Sequence, residues 1–226
     1  VGYCGDRRLS AGGRNTEGIE SRTASRISER RSMAVLTVRF VGLGVMGLPM
    51  ARNVLKGRHA VAGFNRSAGA TDTLAADGAT AARTAAAADG ADVAVLMVPG
   101  PEEIEAVLFG EDGVVAGMPA GGLVLVMSTI DPATAQRVKA RLQTAELRML
   151  EAPVARPAQN AVDGTLAILV GGTEEDLEQA RPMLECMGSD IVYCGPVGTA
   201  AAMKLVNNML SNSMLIMTAE ALALGR

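Results

Sequence analysis

Lys204, Asn207, Asn208 and Ser211 stand at i, i+3, i+4 and i+7, a spacing that puts all four on one face of a helix. The residues around them, Leu205, Val206, Met209, Leu210, Met214, Leu215 and Ile216, are apolar. A cation, two amides and a hydroxyl in such surroundings are costly to bury unless something polar lies against them. A carbonyl substrate bearing an anionic group is a suitable partner. A desolvated lysine shifts its pKa toward neutrality, so Lys204 is expected to exchange a proton with the carbonyl oxygen as general acid/base. Asn208 would then hold the oxygen or the lysine, and Asn207 and Ser211 would touch the substrate. The alternative is a polar stripe that contacts another protein chain. Lysine occurs only at positions 56, 139 and 204, so each one calls for a reason.

A second constellation supplies a candidate co-reactant. The predicted strand Leu36–Val41 leads into Gly42-Leu43-Gly44-Val45-Met46-Gly47 and then into a helical pattern. A lone GxGxxG is weak, but between a strand and a helix it is a dinucleotide signature. The first glycine makes a tight turn, the second lets a pyrophosphate approach the backbone, and the third lets helix and strand pack closely. The phosphate rests on the free N–H groups and positive dipole end of the helix. About twenty residues on, where an NAD-specific fold places a carboxylate on the ribose hydroxyls, the sequence reads Asn65-Arg66-Ser67. A carboxylate would repel a 2′-phosphate, whereas an arginine flanked by amide and hydroxyl binds it. NADP(H) is therefore expected over NAD(H). The competing reading of Arg66 is an ordinary solvated charge.

These residues need elements to position them. From residue 33 onward the sequence alternates strand-like and helix-like segments, the pattern of a parallel sheet flanked by helices. Strands are predicted at Leu36–Val41, His59–Phe64, Val93–Val98, Leu123–Met127, Arg148–Pro153, Leu166–Val170 and Ile191–Tyr193. Helices are predicted at Gly47–Lys56, Pro101–Leu108, Pro132–Ala145 and Glu174–Met187, with a short one in the Ala-rich stretch 79–92. Proline near a helix start, as at Pro101 and Pro132, removes an N–H that has no partner there. The segment Thr199–Arg226 reads as one long helix that is apolar nearly all round and so must lie against something. The expected class is α/β: a Rossmann-like, doubly wound, mostly parallel sheet followed by the start of a long interdomain helix.

Composition bounds the remaining choices. The chain has 226 residues, 49% of them hydrophobic, and a formal charge of -3, which argues against a nucleic-acid-binding surface. Cys4, Cys186, Cys194 and a single histidine, His59, form neither a disulfide framework nor a His/Cys metal site, and suit a reducing cytoplasm. No apolar run approaches a bilayer span, so no membrane partner is expected. Residues 1–32 are polar and rich in Arg, Ser and Gly. They read as a disordered extension, with an organelle transit peptide the weaker alternative.

Taken in order, GLGVMGLPMARNVLKGRHAVAGFNRS, VLMVP, VMSTIDPATA, EAPVARPAQNAVDGTLAILVGGT and GPVGTAAAMKLVNNML resemble the β-hydroxyacid dehydrogenases. That family includes 3-hydroxyisobutyrate dehydrogenase, tartronate semialdehyde reductase and sulfolactaldehyde reductase, with 6-phosphogluconate dehydrogenase a relative. The resemblance covers residues 36–226. It implies a cofactor domain over 33–197, an all-helical domain entered through 198–226, and an active site between them. It makes Lys204 the catalytic lysine and Asn208 the active-site amide. Thr129 would lie beside the nicotinamide, Val98 and Pro99 near the cofactor, and Ser128 at the substrate. The implied substrate is a small anionic hydroxyacid or its semialdehyde, and the implied assembly a homo-oligomer once the helical domain is present.

Three departures qualify the resemblance. Many members carry Ser-Gly-Gly after Ala-Pro-Val to hold the substrate carboxylate, where this chain has Ala155-Arg156-Pro157. An arginine there resembles the sulfolactaldehyde reductase branch, and it implies that Arg156 grips the substrate's terminal anion through a two-pronged contact. A loop arginine in water is the competing reading. Ala200 replaces a common glycine and is expected to tighten the cleft. Finally, family members continue into the helical domain, whereas this chain stops at Arg226, which implies a chain cut short of it. A non-catalytic NADP-binding module is therefore the alternative to an active oxidoreductase. An imine reductase is disfavoured, because Lys204 stands where those enzymes generally use another residue.

Overall fold

The computed structural model describes residues 35–87 and 90–225. The proposed extension 1–32, Met33 and Cys4 lie outside the described residues.

The first half is a run of strand–helix units. β1 (Thr37–Val41) leads to α1 (Gly47–Lys56), β2 (Ala60–Phe64), α2 (Ala68–Ala76), β3 (Thr80–Ala81) and β4 (Val93–Leu96). Then come α3 (Pro101–Phe109), α4 (Val114–Gly117), β5 (Leu123–Val126), α5 (Pro132–Thr144) and β6 (Arg148–Glu151). These six strands pair in parallel in the order β3-β2-β1-β4-β5-β6. β1 thus sits between β2 and β4, where the chain reverses its direction of travel across the sheet, and a crevice opens beyond the strand ends at such a point.

The core explains why β4 and β5 read as unbroken apolar runs. Val38, Phe40, Val93, Val95, Leu123 and Leu125 face one layer, with α1 residues Met50, Ala51 and Val54. Val41, Ala94, Leu96, Val124 and Val126 face the other, with Ile104 and Leu108 of α3 and Val138 and Leu142 of α5. Strands covered on both faces have no polar side to alternate with.

The second half is antiparallel at its join. β7 (Val154–Ala155), α6 (Ala158–Asp163), β8 (Leu166–Gly171), α7 (Glu174–Met187), β9 (Gly188–Gly195) and α8 (Thr199–Leu224) complete the described fold. Glu151 pairs with Gly171, Val154 with Ile168 and Ala155 with Ala167. One antiparallel register therefore runs through both β6 and β7, interrupted only at Ala152-Pro153. Because β8 descends to meet the end of β6, the β7–β8 edge projects beyond that end, with β9 parallel on its far side.

Several sequence expectations need correction. The Ala-rich stretch forms no helix among its described residues. It contains β3 and then bends, and the carbonyls of Thr84 and Ala85 go instead to the guanidinium of the buried Arg39 at 3.3 and 2.6 Å. The helix of this unit is α2, upstream. The predicted strands Arg148–Pro153 and Val93–Val98 each end two residues early, at Glu151 and Leu96, and the predicted Ile191–Tyr193 is longer, Gly188–Gly195.

Candidate active site

A cavity of about 620 Å³ opens beyond the carboxyl ends of β1, β2, β4 and β5. It gathers eleven residues singled out in the sequence for the cofactor: Gly42, Gly44, Val45, Met46 and Gly47; Asn65, Arg66 and Ser67; Val98 and Pro99; and Thr129. Ser128 lines it as well. Phe64, Met97, Glu103 and Val107 complete much of the wall and were not foreseen.

The three glycines have different reasons to be glycine. Gly42 has φ +93°, and a Cβ there would lie 2.2 Å from the Met97 carbonyl oxygen, so the turn fits only against bare backbone. A Cβ on Gly47 would lie 1.9 Å from the Gly42 carbonyl oxygen, so the first turn of α1 packs directly on the loop. A Cβ on Gly44 meets nothing within 4 Å. It faces open space, the room a pyrophosphate needs. α1 has no acidic residue in its first turn, leaving the positive end of its dipole available to an anion. The cradle therefore fits a dinucleotide.

Two side chains brace the cradle. Asn65 Oδ1 accepts the Leu43 N–H at 3.0 Å, while its Nδ2 donates to Ser67 Oγ at 2.8 Å. Asn65 thus ties the β2–α2 loop to the glycine turn. Ser128 Oγ accepts the Val98 N–H at 3.0 Å, which joins the ends of β4 and β5 and leaves its own O–H proton to donate. Arg66 is exposed and forms no ion pair among the described residues. Glu103 is the one carboxylate on the described lining.

The helix residues lie elsewhere. Lys204, Asn207 and Asn208 are half-buried on α8 and are not among the residues lining the cavity. Burial alone holds the Lys204 amine below the ordinary lysine value of 10.5. Ser211 is exposed, and its hydroxyl donates to the Asn207 carbonyl at 2.5 Å. Ala200 is fully buried at the start of α8. The apolar residues beyond it, Met209, Leu210, Met214 and Leu215 among them, are exposed rather than covered.

Arg156 is also away from the lining. It has φ +83°, a region a side chain enters only under constraint. Its guanidinium donates to the Thr165 carbonyl at 2.6 Å, to Ser189 Oγ at 3.0 Å and to Asp190 Oδ2 at 2.6 Å. Sequence reasoning missed this ion pair, and it missed Glu151. The latter is buried at the end of β6, where Oε1 accepts the N–H groups of Gly198 and Ala200 at 2.7 and 2.8 Å. A carboxylate in a buried strand was the available signal, since such a charge needs partners.

Comparison with known proteins bears on the family and the fold. Residues 37–195 match the NAD binding domain of 6-phosphogluconate dehydrogenase. An NAD-dependent L-serine dehydrogenase of Pseudomonas aeruginosa is 43% identical over 189 residues, 83% of this chain and 63% of the relative. A 3-sulfolactaldehyde reductase of Escherichia coli is 40% identical over 83% of this chain and 63% of its own length. The structure of Mycobacterium tuberculosis 3-hydroxyisobutyrate dehydrogenase with L-serine superposes with a TM-score of 0.77 at 36% identity, over 83% of this chain and 64% of that one. The chain thus spans less than two thirds of these relatives' length. No helix among the described residues is long and apolar enough to cross a membrane.

Proposed function

The chain belongs to the β-hydroxyacid dehydrogenase family, and we propose that it interconverts a small β-hydroxyacid and its semialdehyde, with NADP(H) preferred over NAD(H). The observation that carries the reading is the single cleft gathering the glycine turn, Arg66 and Thr129 beyond the reversal point of the sheet. A bound nicotinamide supplies the hydride for reduction and accepts it for oxidation.

The chain's own residues do the rest. Lys204 gives a proton to the carbonyl oxygen on reduction and takes one from the hydroxyl on oxidation. Desolvation supports this role, because an amine held below 10.5 releases its proton more readily. Asn208, one turn further on, holds the oxygen. Asn207 and Ser128 contact the substrate, and Ser211 joins them if its hydroxyl leaves the Asn207 carbonyl. Arg66 takes the 2′-phosphate, with Asn65 and Ser67 rather than a carboxylate as its chain neighbours. Arg156 receives the substrate's terminal anion, which must then share the guanidinium with Asp190. The setting is the cytoplasm, and the assembly is a homo-oligomer once the C-terminal helical domain is present.

One observation favours a second reading, an NADP-binding module without turnover: the Lys204 stripe does not line the cleft. An NADPH-oxidation assay with tartronate, succinate and sulfolactate semialdehydes separates the two. Turnover on any of them supports the oxidoreductase; tight NADPH binding with none supports the module.

A further inference from the structure

Glu151 is 1% exposed, in the otherwise apolar run Met149-Leu150-Glu151-Ala152-Pro153-Val154. Its Oε1 holds the N–H groups of Gly198 and Ala200, and its buried Oε2 has no hydrogen-bond partner among the described residues. Burial pushes the carboxyl above the usual carboxylate range, while the amides of Gly198, Ala200 and Ala201 pull the other way. The fold makes room for the group. A Cβ on Gly171, opposite Glu151 in the sheet, would come within 2.3 Å of Oε1, and Gly198, at φ +105°, turns the chain so that the amides converge.

This cap differs in kind from the others. α5 is capped by Asp131 through the Thr134 N–H and α7 by Thr173 through the Asp176 N–H, each a residue of the helix's own start. Such local caps fix where a helix begins. α8 has no side-chain cap of its own and takes one from β6, 47 residues away. A cap supplied by the sheet fixes the helix relative to the sheet. Ala200, Lys204, Asn207 and Asn208 stand at i, i+4, i+7 and i+8, so the anchored residue shares a face with the polar stripe. One residue of helical rotation is about 100°, enough to replace Lys204 on that face by Met203 or Leu205.

We propose that Glu151 is a positioning residue that sets the rotation of α8 about its axis and so aims Lys204. The inference rests on the reading of Lys204 as proton donor, but part of its test does not. Lys56 and Lys139 are the only other lysines and serve as internal controls for labelling the full chain with an amine-reactive reagent across pH, mapped by mass spectrometry. In wild type, the Lys204 labelling midpoint should fall below the ordinary lysine value of 10.5. Glu151→Ala should raise it toward that value and lower kcat by about 10- to 100-fold, the cost of a small misplacement, with NADPH affinity unchanged. Glu151→Gln keeps an oxygen acceptor and should stay near wild type in both.

An unmoved Lys204 midpoint and unmoved kcat in Glu151→Ala would overturn the proposal. So would parallel changes at all three lysines with lost NADPH affinity, or a Glu151→Gln variant as impaired as Glu151→Ala. Should Glu151→Ala fail to fold, Gly171→Ala, which crowds Oε1, is read by the same criteria. If wild type turns over no substrate, the failure falls on the catalytic reading, and labelling alone decides the role of Glu151.

Discussion

The side-chain oxygen of Asn65 accepts the Leu43 N–H at 3.0 Å, joining the loop after β2 to the turn after β1. The residue that stands where ribose recognition is expected is thus also the brace of the phosphate cradle. Asn65→Ala should weaken NADPH and NADH alike by about 10-fold, the worth of one well-placed hydrogen bond to an ordered loop. Titration of both cofactors by fluorescence checks this; a loss confined to NADPH would place Asn65 on the 2′-phosphate instead.

Arg66→Ala should separate the cofactors. Losing a charge-assisted contact to the 2′-phosphate should weaken NADPH by about 10- to 100-fold and leave NADH nearly unchanged. Equal losses, or wild-type protein that binds NADH more tightly, would remove the case for NADP(H).

The glycines of the turn should also come apart. Gly42→Ala meets both a positive φ and the Met97 carbonyl, and should cost about 2 kcal/mol of stability, lowering Tm by roughly 4–8 °C. Gly44→Ala faces open space and should leave Tm in place while blocking the dinucleotide. Thermal melts with and without NADPH distinguish the two. Equal destabilisation would mean that Gly44 is structural.

His59 should make stability fall with acid. Its Nδ1 accepts the Leu36 N–H at 3.1 Å, and burial lowers its pKa below 6.5 against the raising effect of the Pro182 carbonyl. Below pH 6.5 the unfolded chain takes up the proton before the folded one. The stability present above 6.5 is therefore lost as pH drops, until the folded ring also protonates, at up to about 1.4 kcal/mol per pH unit. Urea unfolding between pH 8 and 5 should show this slope, and His59→Gln should remove it. A slope that survives His59→Gln belongs to other groups.

The legible part of the fold was the part set by local chemistry. The glycine turn could be read because a positive φ and a backbone contact admit no other residue at Gly42. β4 and β5 could be read because burial on both faces leaves apolar runs. α2 could not, since Ala68–Ala76 buries only Thr71 and Leu74 and shows no apolar stripe. The Ala-rich stretch misled because alanine favours helix wherever nothing competes, and here the distant Arg39 claims its carbonyls. The hidden features of the site have the same origin. The Arg156–Asp190 pair and the Glu151–α8 contacts join residues 34 and 47 or more positions apart, and no local pattern encodes such pairings.

Lys204→Met decides whether the half-buried amine does the chemistry. Single-turnover oxidation of bound NADPH should be measured on the semialdehyde that wild type reduces best. The rate should fall by about 10²- to 10⁴-fold, the usual contribution of a positioned proton donor. NADPH affinity should be unchanged, and the loss of rate expected of wild type at high pH, with a midpoint below 10.5, should be absent. A Lys204→Met protein that reduces the same substrate at the wild-type rate with the wild-type pH profile would contradict the mechanism and leave only a dinucleotide-holding fold.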